Sequence, residues 1–129
     1  MKISKRSQYG LRAMIYLANS KKEISSLREI SEKENISFSY LEKIFSRLEK
    51  AGLVNSKKGA QGGYSLAGES GEIDVGRILK ALDEKILLVD CVRGDCPREG
   101  VCQSATVWKK LQDAIENTIN SITLEDLIK

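Results

Sequence analysis

ISFSYLEKIFSRLEKAGLV, residues 36–54, carries the clearest structural signal in this chain of 129 residues. Its apolar side chains recur three and four residues apart, the spacing of an amphipathic helix: Leu41, Ile44, Phe45 and Leu48. Ser39 and Glu42 have the spacing of a capping box, which predicts that the helix begins at Ser39. Gly52 lies where a glycine commonly ends a helix. The stretch therefore predicts a helix with one buried side and one solvent-facing side.

The segments around this helix predict a mainly α-helical protein with one small hairpin. Two strands joined by a glycine-rich turn are expected after it. The remaining elements are helices at residues 5–20, from a capping box at Ser26 and Glu29, at 74–84 and at 104–120, and a short capped helix from Thr123. Helix, helix, helix, hairpin, helix is the order of a winged helix-turn-helix domain. In that fold the third helix enters the major groove of DNA.

The charges of the chain are divided unevenly along its length. Residues 1–60 contain 13 Lys and Arg against 6 Asp and Glu, whereas residues 61–129 contain 8 against 12. A basic half attracts the phosphate backbone of nucleic acids. An ordinary solvated surface would give the same counts, so charge alone does not decide the function.

The polar side of the third helix and the hairpin supply the candidate DNA contacts. Residues opposite the apolar stripe face solvent, and the helix N-terminus is the end that meets base edges or phosphates. Glu42 either completes the cap or accepts from a cytosine amino group. Lysines beside the glycine-rich hairpin tip suit minor-groove or backbone contact. The predicted DNA-contacting residues are Ser37, Ser39, Tyr40, Glu42, Lys43, Arg47, Lys57 and Lys58.

All three cysteines of the chain, Cys91, Cys96 and Cys102, fall in one polar stretch. Structural cysteines usually behave as small buried hydrophobes, so thiols concentrated in a polar loop are better explained as ligands of a soft metal or an iron–sulfur cluster. Zinc is disfavoured because closed zinc sites have four Cys or His ligands and the chain has no histidine. Thiol–disulfide sensing without a cofactor is the remaining alternative.

The long helix near residues 104–120 is the candidate dimer interface. Its apolar residues recur near heptad spacing, which favours pairing with a second copy of the chain: Trp108, Leu111, Ile115, Ile119 and Ile122. A helix packed on its own domain would show a similar stripe. We expect residues 1–84 to form the DNA-binding domain, and residues 85–129 to form the cysteine loop and dimerisation helix, in one compact unit with the first part.

Composition narrows the function and the location. The longest aliphatic run, Ile86–Val89, is far shorter than the ~20 residues of a membrane span. The charged start leads into no apolar signal core, so a cytoplasmic protein without a membrane partner is expected. No nucleophile–base constellation and no histidine is present, which argues against an enzyme or a small-molecule substrate. An electron-transfer or cluster-carrier protein is a less favoured reading.

Several motifs together resemble the IscR-type winged-helix repressors, whose relatives include NsrR and CymR. The resemblance covers Tyr9 to Leu124 and rests on the stretches 36–42, 45–48, 52–54 and 62–66 and on Val75-Gly76. It implies a homodimeric bacterial transcription factor that pairs through the long helix and binds partly palindromic operators. Control of iron–sulfur assembly or related stress genes is also implied. By position, Lys58 stands where IscR has an arginine, so it offers a point charge rather than a bidentate contact.

The resemblance also implies an iron–sulfur cluster on the three cysteines. IscR completes a 2Fe–2S cluster with a histidine at the position of Ala105, so the fourth ligand here must differ. The candidates are Asp90, Asp95, Glu99, Gln8 of the partner's first helix and an exogenous molecule. A 2Fe–2S cluster is slightly favoured over the 4Fe–4S cluster of the NsrR-like branch. A cluster-free regulator of the CymR type remains the alternative.

Overall fold

The structure, a computed structural model, describes residues 2–86 and 103–128. Its elements are α1 (Lys5–Asn19), α2 (Leu27–Glu34), α3 (Phe38–Lys50), β1 (Val54–Lys57), β2 (Gly63–Leu66), a 3₁₀ turn (Ser70–Glu72), α4 (Val75–Ala81), α5 (Ala105–Ser121) and α6 (Leu124–Leu127). The predicted mainly α winged helix-turn-helix is confirmed. No helix in these two ranges has the length and apolar character needed to cross a membrane.

The core lies between α1 and the helices that pack against it. The apolar stripe predicted for α3 is buried, and it meets Met14 of α1 and Ile78 of α4 in one cluster. Gly10 permits this close packing, because a Cβ there would overlap the buried side chain of Leu82. The apolar periodicity of the sequence therefore fixes which side of α3 is left for solvent.

One helix start and one capping box differ from the predictions. The cap of α3 is Ser37, whose Oγ accepts a hydrogen bond from the backbone N–H of Tyr40 at 3.2 Å. The predicted start at Ser39 was wrong, because the serine two residues earlier satisfies the free N–H groups first. Ser26 does cap α2 as expected, but the Glu29 carboxylate turns away to Tyr16 and Lys22 instead of completing the box.

Helix α4 is shorter than the predicted 74–84. It ends at Ala81, and Asp83 has a left-handed backbone with φ +58°. A residue in this conformation cannot continue a right-handed helix. The chain consequently leaves α4 three residues early and runs as non-helical backbone to Ile86.

Helix α5 packs against α4, and the chain after it returns to the start of α4. The backbone N–H of Val75 donates to the carbonyl of Ile122 at 2.8 Å, and that of Leu124 donates to Ile73 at 2.9 Å. Gly76 lies so close to Asn120 that a Cβ would overlap it. The C-terminal end of α5 is therefore joined to the DNA-binding domain.

The hairpin is fastened to the rest of the domain at its second strand. β1 and β2 pair antiparallel, with Lys57 opposite Gly63. Tyr64 exchanges two backbone hydrogen bonds with Ser25, of 2.8 and 3.0 Å. Gly63 is required at this junction because a Cβ would overlap the carbonyl oxygen of Ser25. These bonds fix the direction in which the wing projects.

Candidate nucleic-acid interface

The N-terminus of α3 presents two exposed hydroxyls. Ser37 and Ser39 are both exposed, and their Oγ atoms lie 3.0 Å apart. The first N–H groups of a helix and its macrodipole favour an anion at this end. The geometry is suited to holding a phosphate oxygen or to reaching a base edge.

Tyr40 lies at the border between this end of α3 and the core. It is half-buried, and its ring meets that of Tyr9 edge-on at 5.6 Å. Arg12 stacks over Tyr9 in turn, 5.7 Å from its ring centre. The sequence predicted Tyr40 on the side of α3 roughly opposite the buried stripe, whereas its ring is half-buried and packs on Tyr9.

A groove of about 940 Å³ runs along the polar side of α3 toward the end of α4. Glu42 and Lys43 are exposed on its wall, and neither forms an ion pair with a described residue. Its complete lining is Ser39, Glu42, Lys43, Ser46, Arg47, Lys50, Ala51, Ala81 and Asp83. The structure thus brings four of the predicted contacts, Ser39, Glu42, Lys43 and Arg47, into one groove.

Arg47 is engaged within the protein. Its Nη1 atom forms an ion pair with the Asp83 carboxylate at 2.5 Å, 36 residues along the chain. The Arg47 side chain is 39% exposed and that of Asp83 is 70% exposed, so solvent screens the pair strongly. Sequence reasoning missed Asp83, because no periodic pattern marks a residue just past a helix end.

The wing carries the second group of predicted contacts. Lys57 ends β1 and Lys58 follows it, and both are exposed. A groove of about 750 Å³ separates the wing from α2 and is also lined by Arg28 and by Phe38, which is 45% exposed. Arg28 was not predicted from the sequence as a DNA contact. The available signal was its place in the first turn of α2, within the basic first half of the chain.

The wing is held against α3 by side chains as well as by backbone. Tyr64 packs on the buried Phe45 ring at 4.7 Å, and Ser56 donates a hydrogen bond to Glu49 at 2.7 Å. Burial raises the pKa of the Tyr64 hydroxyl, with a smaller contribution from Glu49 and Glu42. The predicted base-reading helix and the predicted wing consequently form one unit.

The segment after α4 is anchored to the start of α1. The Glu84 carboxylate accepts hydrogen bonds from the hydroxyls of Ser4, at 2.6 Å, and Ser7, at 2.7 Å, and from the Ser4 backbone N–H, at 3.1 Å. Burial is the largest influence and raises the pKa of Glu84. The hydrogen bonds and the charge of Arg6 together outweigh burial and lower that pKa below its usual value.

The predicted metal ligands lie outside the described residues: Cys91, Cys96 and Cys102, together with Asp90, Asp95 and Glu99. Within residues 2–86 and 103–128, no group of three or more His, Cys, Asp or Glu side chains is arranged to hold a metal ion. Gln8 is exposed on α1, where its amide donates to the Ile3 carbonyl at 2.9 Å. Ala105 is the first residue of α5.

The apolar stripe of α5 is partly uncovered. Leu111 is 46% exposed and its neighbour Val107 is 52% exposed. Trp108, Ile115 and Ile119 are half-buried, and Ile122 lies past the helix end. Gln112 is buried, and its amide donates to the Ile86 carbonyl and, at 3.1 Å, to Glu116.

Comparison with known proteins places this architecture in one family. The Rrf2 family, described as iron-dependent transcriptional regulators, matches residues 3–129. The HTH-type transcriptional regulator IscR of Vibrio atlanticus is 41% identical over 131 residues, covering 100% of this chain and 76% of that protein.

Two solved structures support the same assignment. CymR, the global cysteine regulator of B. subtilis, has a TM-score of 0.83 and 37% identity, covering 98% of this chain and 95% of that one. The IscR of T. potens has a TM-score of 0.79 and 39% identity, covering 98% and 85%. The relatives are named as transcriptional regulators and not as enzymes, as expected from the sequence. The chain belongs to the Rrf2 family and is a DNA-binding transcriptional regulator of the helix-turn-helix type.

Proposed function

We propose that this regulator is a cytoplasmic homodimer whose binding to a partly palindromic operator is modulated by an iron–sulfur cluster on Cys91, Cys96 and Cys102. The observation that carries the proposal is the confinement of all three cysteines to one short stretch of a chain from an iron-dependent regulator family. Genes of iron–sulfur assembly or of related stress responses are the proposed targets.

DNA binding is assigned to α3 and the wing. Ser37, Ser39 and Glu42 would meet base edges or phosphates at the α3 N-terminus, with Tyr40 at the border of that surface. Lys43 and Arg47 lie further along the helix. Lys57 and Lys58 would contact the adjacent backbone or minor groove. Because Tyr64 and Glu49 couple the wing to α3, both surfaces would dock together.

The donor set fits an iron–sulfur cluster that is incompletely ligated by cysteine. Three thiolates are available and no histidine exists to complete the IscR pattern, so the fourth ligand is a carboxylate, the partner's Gln8 or an exogenous molecule. When bound, a cluster of 2Fe–2S or 4Fe–4S type would supply iron that reacts with oxygen or nitric oxide. Zinc fits less well, because a closed site requires four such ligands.

Both flanks of the cysteine-containing segment contact the DNA-binding unit. Glu84 is bonded to the start of α1, and Asp83 is paired with Arg47 of α3. On the other side, the carbonyl of Ile122, just past α5, accepts a hydrogen bond from the backbone N–H of Val75 in α4 at 2.8 Å. These contacts support a role for residues 85–129 as the sensing and dimerising part of one compact unit with residues 1–84. A change in the segment would bias the position of α3 through them.

The uncovered apolar stripe of α5 supports the homodimer. A side chain such as Leu111, nearly half exposed, gains burial when a second α5 packs against it. Trp108, Ile115 and Ile119 would widen the interface, and Ile122 would lie at its end. Pairing through α5 would set the spacing of the two α3 helices on a palindromic site.

The test is anaerobic purification followed by absorbance, iron and sulfide assays. We expect visible absorbance with stoichiometric iron and sulfide in the wild-type protein. Each of Cys91→Ala, Cys96→Ala and Cys102→Ala should lose it, whereas Thr106→Ala, a change at an exposed position of α5 after the triplet, should keep it. Operator binding with and without iron then measures the modulation.

A cluster-free regulator of the CymR type is the second candidate, favoured by the high structural similarity to CymR and by the missing histidine. It predicts colourless protein whose operator binding does not depend on iron. If that binding changes with oxidant and the change requires the cysteines, thiol sensing replaces cluster sensing. An electron-transfer role would instead require that no duplex is bound selectively.

A further inference from the structure

We propose that Asp83 is a positioning residue that competes with DNA phosphate for Arg47. The proposal rests on the assignment of α3 as the DNA-contacting helix. Asp83 is the residue at which the chain leaves α4, and its carboxylate lies 2.5 Å from Nη1 of Arg47 in the groove beside α3. A carboxylate on a guanidinium occupies the position that a phosphate oxygen would take.

The backbone holds Asp83 in this place. Its φ of +58° is a left-handed conformation that aspartate tolerates better than most residues. The residues on either side are fixed as well, since Arg6 donates to the Leu82 carbonyl at 2.8 Å and Glu84 is bonded to Ser4 and Ser7. Asp83 is therefore presented to α3 by a three-residue segment that α1 anchors.

The other charged residues of the groove indicate how the Arg47–Asp83 ion pair would affect DNA binding. Its cations are Lys43, Arg47 and Lys50, and its anions are Glu42 and Asp83. Among the described residues, Lys43 and Lys50 have no ion-pair partner, so Arg47 alone is neutralised. A phosphate that binds Arg47 through Nη1 must displace Asp83, and the freed carboxylate then repels the DNA backbone.

Removal of the Asp83 charge should strengthen DNA binding. We expect the Asp83→Asn variant to bind a short duplex of arbitrary sequence roughly two- to fivefold more tightly at low salt. An exposed ion pair contributes little energy, so removing its competition with phosphate should have an effect of this size. The slope of log K against log salt should steepen by about 0.9, the value of one additional neutralised phosphate. Asn also accepts a left-handed backbone, so the local fold is retained.

A double-mutant cycle separates competition from a general structural effect. In an Arg47→Gln background, Asp83→Asn should leave the salt slope unchanged, because no arginine is left to release, and should tighten binding less than it does in the wild type, by the repulsion of the Asp83 carboxylate alone. Asp83→Gly, which also fits the backbone, should behave as Asp83→Asn does. Glu125→Gln removes an equal charge from the exposed surface of α6 and should leave the slope unchanged.

Weaker or unaltered binding by Asp83→Asn, with an unaltered slope, would overturn the proposal. Tighter binding that persists equally without Arg47 would overturn it too, by showing a nonspecific charge effect. The assignment of α3 fails in a different way: Lys43→Ala and Arg47→Gln would then leave both the affinity for duplex and the salt slope unaltered. Thermal unfolding of each variant confirms that the compared proteins are folded.

Discussion

Glu84 accepts a hydrogen bond from the Ser4 hydroxyl at 2.6 Å, joining two residues that are 80 positions apart. The bond fastens the backbone before the cysteine-containing segment to the first turn of α1. Because the pKa of Glu84 is lowered in the folded state, its contribution to stability is present above the unfolded pKa and lost in acid.

Replacement of Glu84 by glutamine should therefore destabilise the protein in a pH-dependent way. We expect Glu84→Gln to lower the free energy of unfolding by about 1 kcal/mol at neutral pH, the scale of a hydrogen bond to a charged group that is partly solvated. The difference in free energy of unfolding between the two proteins should become smaller as the pH falls below 4.5, the ordinary pKa of a glutamate, and through the lowered pKa of folded Glu84. Urea titrations at several pH values measure it. A difference in free energy of unfolding that does not depend on pH would contradict the assignment of this stability to the Glu84 carboxylate. The same pH dependence in Glu23→Gln would contradict it as well.

Substitution of Gly63 should damage the wing. A Cβ at this position overlaps the Ser25 carbonyl, so Gly63→Ala should cost about 1–3 kcal/mol of stability and weaken DNA binding together with it. Gly68→Ala is the matched control, because its Cβ would meet nothing nearer than Glu72 at 3.8 Å. Denaturant unfolding compares the two. Equal stability of both variants would show that the Ser25 contact can relax at little cost.

Introduction of a charge on the α5 stripe should separate the proposed dimer. Leu111 is 46% exposed in one chain, so Leu111→Glu should leave the monomer folded while it blocks close packing of two copies. Lys109 lies about 160° around the helix from Leu111, and Lys109→Glu should remain dimeric. Sedimentation velocity gives the mass of each. A dimeric Leu111→Glu protein would place the interface elsewhere.

Loss of a wing lysine should reduce the salt dependence of DNA binding. Lys58→Ala should flatten the log–log slope by about 0.9 and weaken binding to all sequences alike, as a phosphate contact does. Lys58→Arg should restore the slope. Lys110→Ala removes the same charge from α5 and should have no effect. Fluorescence anisotropy on a duplex obtained by in vitro selection measures all four proteins, and an unchanged Lys58→Ala slope would remove the wing from the interface.

The sequence predicted correctly those parts of the fold that depend on a single local pattern. Apolar periodicity gave the buried side of α3, and Gly52 ends it with φ +77° as expected. Boundaries set by competing signals were less accurate. Ser37 displaced Ser39 as the cap of α3, and the left-handed Asp83 ended α4 early.

The candidate site was predictable in its composition and less so in its geometry. Exposure of Ser39, Glu42 and Lys43 follows from their angle around α3, and the structure agrees. The packing of Tyr40 on Tyr9 and the pairing of Arg47 with Asp83 depend on how distant segments meet in three dimensions. No local pattern encodes such contacts. The roles of these residues in DNA binding remain predictions.

The buried Gln112 has a consequence for any ligand of the three cysteines. Its bond to the Ile86 carbonyl fixes the chain immediately before residue 87, and α5 fixes it soon after residue 102. Bringing together the two ends of residues 87–102 costs conformational entropy, and this cost grows only with the logarithm of the number of residues between them. Folding of the domain has already fixed both ends, so binding of a ligand does not add this cost. A ligand held by the three cysteines should therefore be retained less well when Gln112 is substituted, because the chain before residue 87 is then no longer fixed to α5.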